Sequence, residues 1–261
     1  MSMISSVING VNLQKVAHLI IDQPCHFDVN SLEPGDIIFC KTDYISMLFR
    51  ALLSGRKSGP YKLITHCSDY SIDENIFKAR PACISKWFAQ NANYQHPDLI
   101  PIPIGLENHE GFSKGGAIVP DVLDLPLLSV SKSNSVYCNF SLHTHHNRGN
   151  VKNILIANNA CAFDSGKSFK DYRDASQLHR YVASPRGNGI DCHRTWEALY
   201  FGCIPVVEKH FMYDSWNFLP IIQLEDWNKL DEAIASMSNL TIDRKYLDIE
   251  YWYEFIKNYA C

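Results

Sequence analysis

The chain has 261 residues, of which 46% are hydrophobic, and its formal net charge at pH 7 is −4. This length fits one large α/β domain or two small ones, and the apolar fraction is sufficient for a hydrophobic core. The charge is mild and forms no basic tract, so nucleic acid is not expected as a partner.

The N-terminal segment lacks both the basic start and the apolar stretch of a signal peptide. No stretch approaches the ~20 apolar residues that a membrane helix needs. We therefore expect a cytoplasmic protein without a transmembrane segment, for which peripheral membrane association stays open. The nine cysteines form no CxxC pair, and reduced thiols are expected rather than disulfides or a zinc site.

The first half of the chain alternates strand-like and helix-like segments. Apolar runs predict strands, and apolar residues at helical spacing predict helices. The predicted elements are a strand over 36–40, a helix over 44–53, a strand over 62–65, a strand or short helix over 84–89 and an extended segment over 99–104. This alternation predicts a mainly parallel sheet with crossover helices.

Residues 110–126 are rich in glycine, proline and polar residues, which predicts a linker. The alternation then resumes, with strands over 135–140 and 221–224 and helices over 147–157, 227–237 and 246–259. We therefore predict an α/β protein of two small Rossmann-like domains, residues 1–125 and 126–261, that face one another across a cleft. Ligands of such sheets bind at the carboxyl ends of the strands.

The most informative segment is residues 184–207, which read SPRGNGIDCHRTWEALYFGCIPVV. A strand over 181–183 is predicted to enter a loop, which opens into an amphipathic helix. Asp191 is placed to cap this helix, and Gly202 is placed to end it before a second apolar strand over 204–207. Trp196, Leu199 and Cys203 fall on one face of the helix and are expected in the core.

The polar residues of this segment suit a bound anion. Gly187 and Gly189 permit positive φ and close backbone approach, and Asn188 also tolerates such geometry, so the loop can form a nest of N–H groups. An ordinary turn between strand and helix explains a lone GNG equally well. The neighbouring Arg186, Asp191, His193, Arg194 and Glu197 favour the anion site.

The helix that follows adds charge at defined positions. Arg194 lies in its first turn, where an arginine beside a helix N-terminus suits a diphosphate. Glu197 lies three residues further on the same face, where a carboxylate suits the hydroxyls of a ribose. The pattern predicts the nucleotide-sugar pocket of a glycosyltransferase.

The sequence HRTWEALYFGCIPVV resembles the signature of exostosin-like glycosyltransferases. The similarity extends to THCSDYSI, KWFAQN and LIPIPIGLEN, which look like a microbial exostosin-related group with a GT-B architecture. The resemblance implies that Arg194 contacts the donor diphosphate and Glu197 the donor ribose. It also implies UDP as the nucleotide and a last helix that returns onto the first domain.

A GT-B enzyme commonly needs no metal, and we expect no cofactor beyond the nucleotide-sugar substrate. Leaving-group stabilisation would then fall to Arg194, aided by Arg186 or Arg148, and one such contact contributes about 3–4 kcal/mol. Arg148 follows a predicted strand and is either a second phosphate contact or a solvated surface arginine. The acceptor is expected to be a glycan or a glycolipid.

An inverting transfer also needs a general base near the acceptor hydroxyl. Asp69 and His66, at the end of the strand over 62–65, are candidates, and so is Asp43 after the strand over 36–40. For any one of them, a turn or cap residue is the better explanation.

Two motifs are set aside. The histidines of 143–146 lack a partner at metal-ligand spacing and are expected to form a polar loop, and Gly166-Lys167-Ser168 lacks the preceding glycine of a P-loop. Residues 170–173 are expected to begin a solvated helix. The alternatives to a glycosyltransferase are a non-catalytic module that binds a nucleotide or a glycan and, less well supported, a phosphatase or methyltransferase.

Overall fold

The computed structural model describes residues 6–56, 58–108, 132–236 and 240–260. Within them the chain forms two five-stranded sheets in which every pair of neighbouring strands is parallel. The predicted α/β class is therefore confirmed, and parallel sheets of this kind are compatible with Rossmann-like domains. The predicted linker over 110–126, with the domain boundary inside it, falls outside the described residues.

The chain divides into two compact units, and neither is continuous in sequence. The first unit comprises Ile8–Ile104 and the C-terminal segment Ile249–Cys261. The second comprises Met1–Val7 and Gly105–Asp248. Each unit contains one of the two sheets.

The strands and helices are numbered here in chain order. The strands are β1 Leu19–Ile21, β2 Ile37–Lys41, β3 Tyr61–His66, β4 Ile84–Ala89, β5 Leu99–Pro101, β6 Ser133–Cys138, β7 Cys161–Phe163, β8 His179–Ala183, β9 Ile204–Glu208 and β10 Ile222–Leu224. The helices are α1 Gly10–Gln14, α2 Ile45–Ser54, α3 Glu74–Lys78, α4 Arg148–Ala157, α5 Phe169–Gln177, α6 His193–Tyr200, α7 Phe211–Asp214, α8 Leu230–Ser236 and α9 Ile249–Asn258.

The sheet of the first unit has the order β1-β2-β3-β4-β5, so its strands follow one another as they do in the chain. Its core is built on Trp87, which is fully buried. The Trp87 ring packs edge-on against Phe49 of α2, with 5.6 Å between the ring centroids. The indole N–H of Trp87 donates to the Thr65 hydroxyl at 2.8 Å, which satisfies the polar atom of this buried ring.

Helix α9 packs on the first sheet. Phe88 of β4 contacts Phe255 and Tyr259 edge-on. Buried Lys62 of β3 donates from Nζ to the carbonyl oxygens of Ile256 (3.1 Å) and Lys257 (2.6 Å), which are orphan acceptors at the end of the helix. The C-terminal helix is therefore part of the first unit.

The sheet of the second unit has the order β10-β9-β8-β6-β7. The chain passes from β6 to β7 at one edge, returns to β8 on the other side of β6, and continues outward to β9 and β10. The connections after β6 and β8 therefore run in opposite directions, which makes this pair the topological switch point of the sheet. Among the described strands, the first sheet has no such reversal.

Several element boundaries differ from the predicted ones for physical reasons. The strand predicted over 135–140 is β6, Ser133–Cys138, because its pairing with β8 begins at Ser133. The helix predicted over 227–237 begins as the 3-10 turn Trp227–Lys229, which Asp226 caps, before α8 starts. The helix predicted over 246–259 likewise begins as the 3-10 turn Arg244–Leu247 and restarts as α9.

Candidate functional site

The loop over 184–192 follows β8, and the loop over 139–147 follows β6. Both leave the carboxyl ends of their strands at the switch point. Open parallel sheets bind their ligands in the crevice at this position. The topology therefore brings the glycine-containing loop of the predicted site to the place where a ligand of the second unit is expected.

Arg148, the first residue of α4, joins these two loops. Its Nε donates to the Arg186 carbonyl at 2.8 Å, Nη1 to the Ser141 carbonyl at 2.8 Å and Nη2 to the Pro185 carbonyl at 2.7 Å. Only 4% of the residue is exposed, and burial lowers the pKa of Arg148 from its usual value. The expectation of a solvated surface arginine is wrong, and a phosphate contact would have to share a guanidinium that already holds the loops.

Gly187 is closely packed. A Cβ at this position would lie 3.2 Å from Arg148 Nη2 and 3.5 Å from both Cys192 Sγ and Thr144 Oγ1. Among the described glycines, positive φ occurs at five positions that do not include Gly187 or Gly189. Neither glycine therefore uses the positive φ that it permits, whereas the close approach of other atoms to the backbone is present at Gly187. Asn188, between them, is exposed.

Asp191 does not cap helix α6. The N-cap is Cys192, which makes no side-chain cap hydrogen bond. Asp191 is buried, and its Oδ2 accepts a hydrogen bond of 2.7 Å from the Trp196 indole. The Asp191 carboxylate therefore holds the helix through the indole N–H of Trp196. The Trp196 ring itself is buried in the core, as predicted.

The other end of α6 is as predicted. Gly202 has φ +72°, the left-handed conformation, just after the helix ends. The Cys203 N–H donates to Ala198 and the Gly202 N–H donates to Leu199, the paired bonds of a Schellman motif. Leu199 and Cys203 are buried, so the predicted core face of the helix is confirmed.

Arg194 and Glu197 lie beside a tyrosine that the sequence analysis missed. Tyr172 of α5 donates from its hydroxyl to Glu197 Oε2 at 3.0 Å. The Arg194 guanidinium carbon lies 5.5 Å from the centroid of the Tyr172 ring, within the range of a cation–π contact. The three side chains therefore form one cluster.

Burial and charge act together in this cluster. Burial raises the pKa of Tyr172 well above its usual value, so the phenol stays protonated as a donor. Burial also opposes the charge on Arg194, but the neighbouring Tyr172 and Glu197 outweigh it and raise the pKa of Arg194. The structure corrects the prediction for residues 170–173, because Tyr172 and Arg173 are buried; the helical spacing of Phe169, Tyr172 and Ser176 was the available signal.

Three polar atoms around the switch point are buried without a hydrogen-bond partner in the described part of the chain. They are the Nε atoms of Arg186 and Arg194 and the hydroxyl of Thr144. Buried donors are nearly always paired in folded proteins, and an unpaired one is destabilising. The first unit has two more such atoms, the hydroxyls of Thr42 and Tyr61, but three at one end of one sheet are typical of a site that a polar ligand completes.

Arg186 also lines a small cavity, about 50 Å³, at the carboxyl ends of β8 and β9. Glu208 stands in its wall and accepts from the Arg186 backbone N–H at 2.7 Å and from the Trp227 indole at 3.1 Å. His210, in the same wall, has its pKa lowered by burial and then by the charge of Arg186. Glu208 is the last residue of β9 and His210 follows it, a position that the sequence analysis did not consider.

Two further histidines lie near the switch point. His193, at the start of α6, places its Nδ1 2.8 Å from the Gly105 carbonyl oxygen. His145, within the loop over 139–147, has its pKa lowered by burial and by Arg186 and other cations. The histidines of 143–146 thus lie in the loop over 139–147, between β6 and α4. This agrees with the expectation of a polar loop between a strand and a helix.

The candidates for a general base lie in the first unit. His66 is buried; its Nε2 lies 3.0 Å from the Pro103 carbonyl oxygen, and its Nδ1 lies 3.3 Å from Cys67 Sγ. A carbonyl only accepts, so Nε2 carries the proton, an arrangement typical of a structural histidine. Asp69 is exposed beyond the end of β3, and Asp43 lies in the turn after β2, 3.9 Å from Lys41 Nζ.

Over the described residues, no cluster of three or more histidine, cysteine or acidic side chains is arranged to hold a metal ion. Nor does any described helix have the length and apolarity to cross a membrane. The eight described cysteines are free thiols.

No protein-family model matches the sequence, and a search of curated proteins finds no match. The exostosin resemblance therefore stays an interpretation of the motif, and the function is argued from the geometry of the second unit.

Proposed function

We propose that the protein is a glycosyltransferase of GT-B type that transfers a sugar from a nucleoside-diphosphate donor to a glycan or glycolipid. One observation carries the proposal. The buried, unpartnered Nε donors of Arg186 and Arg194 lie at the switch-point end of the second sheet, and Arg194 adjoins the carboxylate of Glu197. Guanidinium groups suit a diphosphate, and a carboxylate suits a sugar diol.

Each residue then has a role that its surroundings support. Arg194 and Arg186 bind the diphosphate and stabilise the charge that develops on it as the glycosidic bond breaks. Glu197 accepts from the ribose hydroxyls through Oε1, while Tyr172 holds Oε2 and fixes the orientation of the carboxylate. Arg148 and Gly187 are positioning residues, because they set the shape of the loop.

A second candidate function is a module that binds the donor without transferring sugar. The burial and the hydrogen bonds of His66 favour it. One of the two principal candidates for the base is buried with both ring nitrogens occupied. Asp69 and Asp43 then remain as candidates for a base. A binding experiment and a transfer experiment separate the two functions.

The binding experiment measures the thermal unfolding of the full chain with UDP, GDP, CMP and ADP. A nucleotide present at a hundred times its dissociation constant stabilises the fold by about 2.7 kcal/mol. We expect this shift with one nucleoside diphosphate, most simply UDP, and its loss in Arg194→Ala and in Glu197→Gln. Arg50→Ala, which removes an exposed arginine of α2 in the first unit, is the matched control and keeps the shift.

Both site variants are expected to remain folded by circular dichroism, because neither side chain belongs to the hydrophobic core. A shift that is absent with every nucleotide, or that survives in Arg194→Ala, contradicts the proposed site. Release of the nucleoside diphosphate from its sugar conjugate, measured over a panel of glycan and glycolipid acceptors, then tests transfer. Binding without release on any acceptor selects the non-catalytic module.

A further inference from the structure

The second unit contains a cavity of about 470 Å³ that is distinct from the switch point. Asn134, Arg180 and Ile204 line it, and these are the second, second and first residues of β6, β8 and β9. Because the strands are parallel, the cavity lies at the amino ends of the sheet, opposite the candidate donor site. The end of α6, Lys132, residues 240–242 and Arg244 also line it.

One part of the wall is apolar. It is formed by Leu199, Ile204, Leu240 and Ile242. The volume falls within the range of about 300–1,000 Å³ that is typical of small-molecule sites, which are mostly apolar with a few placed polar groups. An apolar group of a ligand would therefore gain free energy by leaving water for this wall.

The charged part of the wall has a single sign. Lys132, Arg180 and Arg244 line the cavity, and none of the described residues that line it is acidic. Lys132 Nζ donates to the Phe201 carbonyl at 3.3 Å, which offsets the negative end of α6. The charged side chains that line the cavity therefore favour an anionic ligand over a cationic one.

Arg244 differs from the basic residue beside it. Lys245 forms an ion pair with Asp243 at 3.1 Å, whereas no ion pair of Arg244 occurs within the described ranges of the chain. Arg244 is half-buried at the cavity wall, while Lys245 is exposed and outside it. The two neighbours thus provide a cation inside the cavity and a matched cation outside it.

We propose that this cavity binds a small amphipathic anion, an apolar chain that ends in a carboxylate or a phosphate. The chain lies against the apolar wall, and the headgroup lies between Arg244 and Arg180. The site is separate from the donor site and does not depend on the proposed glycosyltransferase activity.

The test is isothermal titration calorimetry of the full chain with octanoate, octyl phosphate and 1-octanol. We expect saturable binding of at least one of the two anions, with the alcohol roughly tenfold weaker because it lacks the charge-assisted hydrogen bond. The tighter of the two anions identifies the headgroup. Arg244→Glu should weaken anion binding by roughly tenfold or more, and Lys245→Glu should leave it unchanged.

A second variant keeps the test decisive if Arg244→Glu folds poorly. Ile242→Trp fills the cavity without changing its charge, and it should abolish binding while circular dichroism stays native. The proposal is overturned if neither anion binds saturably, if 1-octanol binds as tightly as the anions, or if folded Arg244→Glu and Ile242→Trp both bind as the natural chain does.

Discussion

Arginines at the carboxyl end of the second sheet divide into two kinds by what their guanidinium groups meet. The Arg148 guanidinium donates hydrogen bonds to three backbone carbonyls, and these bonds hold the two loops in place. Arg186 and Arg194 each leave Nε unpaired within the described chain. The same residue type therefore serves a structural purpose in one place and is available to a ligand in another.

Two histidines of the same region make stability depend on pH. Nδ1 of His210 accepts from the Met212 N–H at 3.2 Å, and Nδ1 of His145 accepts from the Asn147 N–H at 3.3 Å. Protonation would remove each acceptor. Burial, followed by the charge of Arg186, lowers the pKa of both histidines below the usual 6.5.

The direction in which the free energy of unfolding changes with pH follows from the difference in proton binding between the folded and unfolded chains. The unfolded chain binds the protons more readily, so the free energy of unfolding is complete above about pH 6.5 and falls as the pH drops through the lowered pKa values. We expect His210→Asn to reduce this slope, because asparagine keeps an acceptor for the cap but does not titrate. Urea unfolding between pH 7.5 and 5, in steps spanning the ordinary histidine range, measures it.

The control is His143→Asn, which removes an exposed histidine of the loop over 139–147, the loop that also contains His145. Its slope should match that of the natural chain. Equal slopes for His210→Asn and the natural chain would mean that His210 does not titrate in this range. Asp98 does not interfere, because its hydrogen bond with Lys86 holds the pKa of the carboxyl below its usual value.

At the scale of elements, α6 is the helix on which the candidate site depends. It has only eight residues, and isolated helices of this length are not stable in water. Its position is held by the hydrogen bond from the buried Trp196, in the middle of the helix, to Asp191, which precedes the helix, and by the Gly202 turn after its last residue. A change at either end should therefore alter the helix and, through it, the position of Arg194.

Gly202→Ala tests the turn. An alanine in the left-handed conformation costs about 1–2 kcal/mol, so we expect the free energy of unfolding to fall by that amount in urea denaturation. Gly149→Ala is the control, because Gly149 lies in α4 with no atom within 4 Å of a Cβ and no positive φ. That substitution should be neutral or stabilising; equal destabilisation by both would show that the turn is not the cause.

At the scale of the whole molecule, each unit is assembled from segments that are far apart in the chain. The first unit receives its last helix from the C-terminal segment Ile249–Cys261. Lys62 and Lys257 are 195 positions apart, and the Lys62 ammonium donates a hydrogen bond to the Lys257 carbonyl in the last turn of that helix. The first sheet therefore depends on residues at the far end of the chain.

Lys62→Met tests this dependence. Hydrogen bonds to charged groups contribute about 1.5–3 kcal/mol each, and the variant removes two while it leaves two helix carbonyls without this donor. We expect amide hydrogens of α9 to exchange faster, measured by hydrogen exchange with mass spectrometry, and the free energy of unfolding to fall. Lys15→Met removes an exposed lysine of the same unit and should change neither; unchanged exchange in α9 in both variants would contradict the role of Lys62.

The sequence by itself was sufficient for the α/β class, the parallel sheets and the course of α6 from its loop to Gly202. These features depend on apolar periodicity and on turn residues, which are local properties of the chain. The glycosyltransferase assignment also comes from local spacing, and it stays a prediction until nucleotide binding is measured.

Only the tertiary structure decided which partners particular side chains contact. Arg148 meets a carbonyl 37 positions away, and Tyr172 meets Glu197 25 positions away. Asp191 was predicted to cap α6, but it precedes the N-cap residue Cys192 and accepts a hydrogen bond from the indole of Trp196. Local spacing does not say which distant group a side chain will meet, because strand order and loop packing determine that, and these arise from burial over the whole unit.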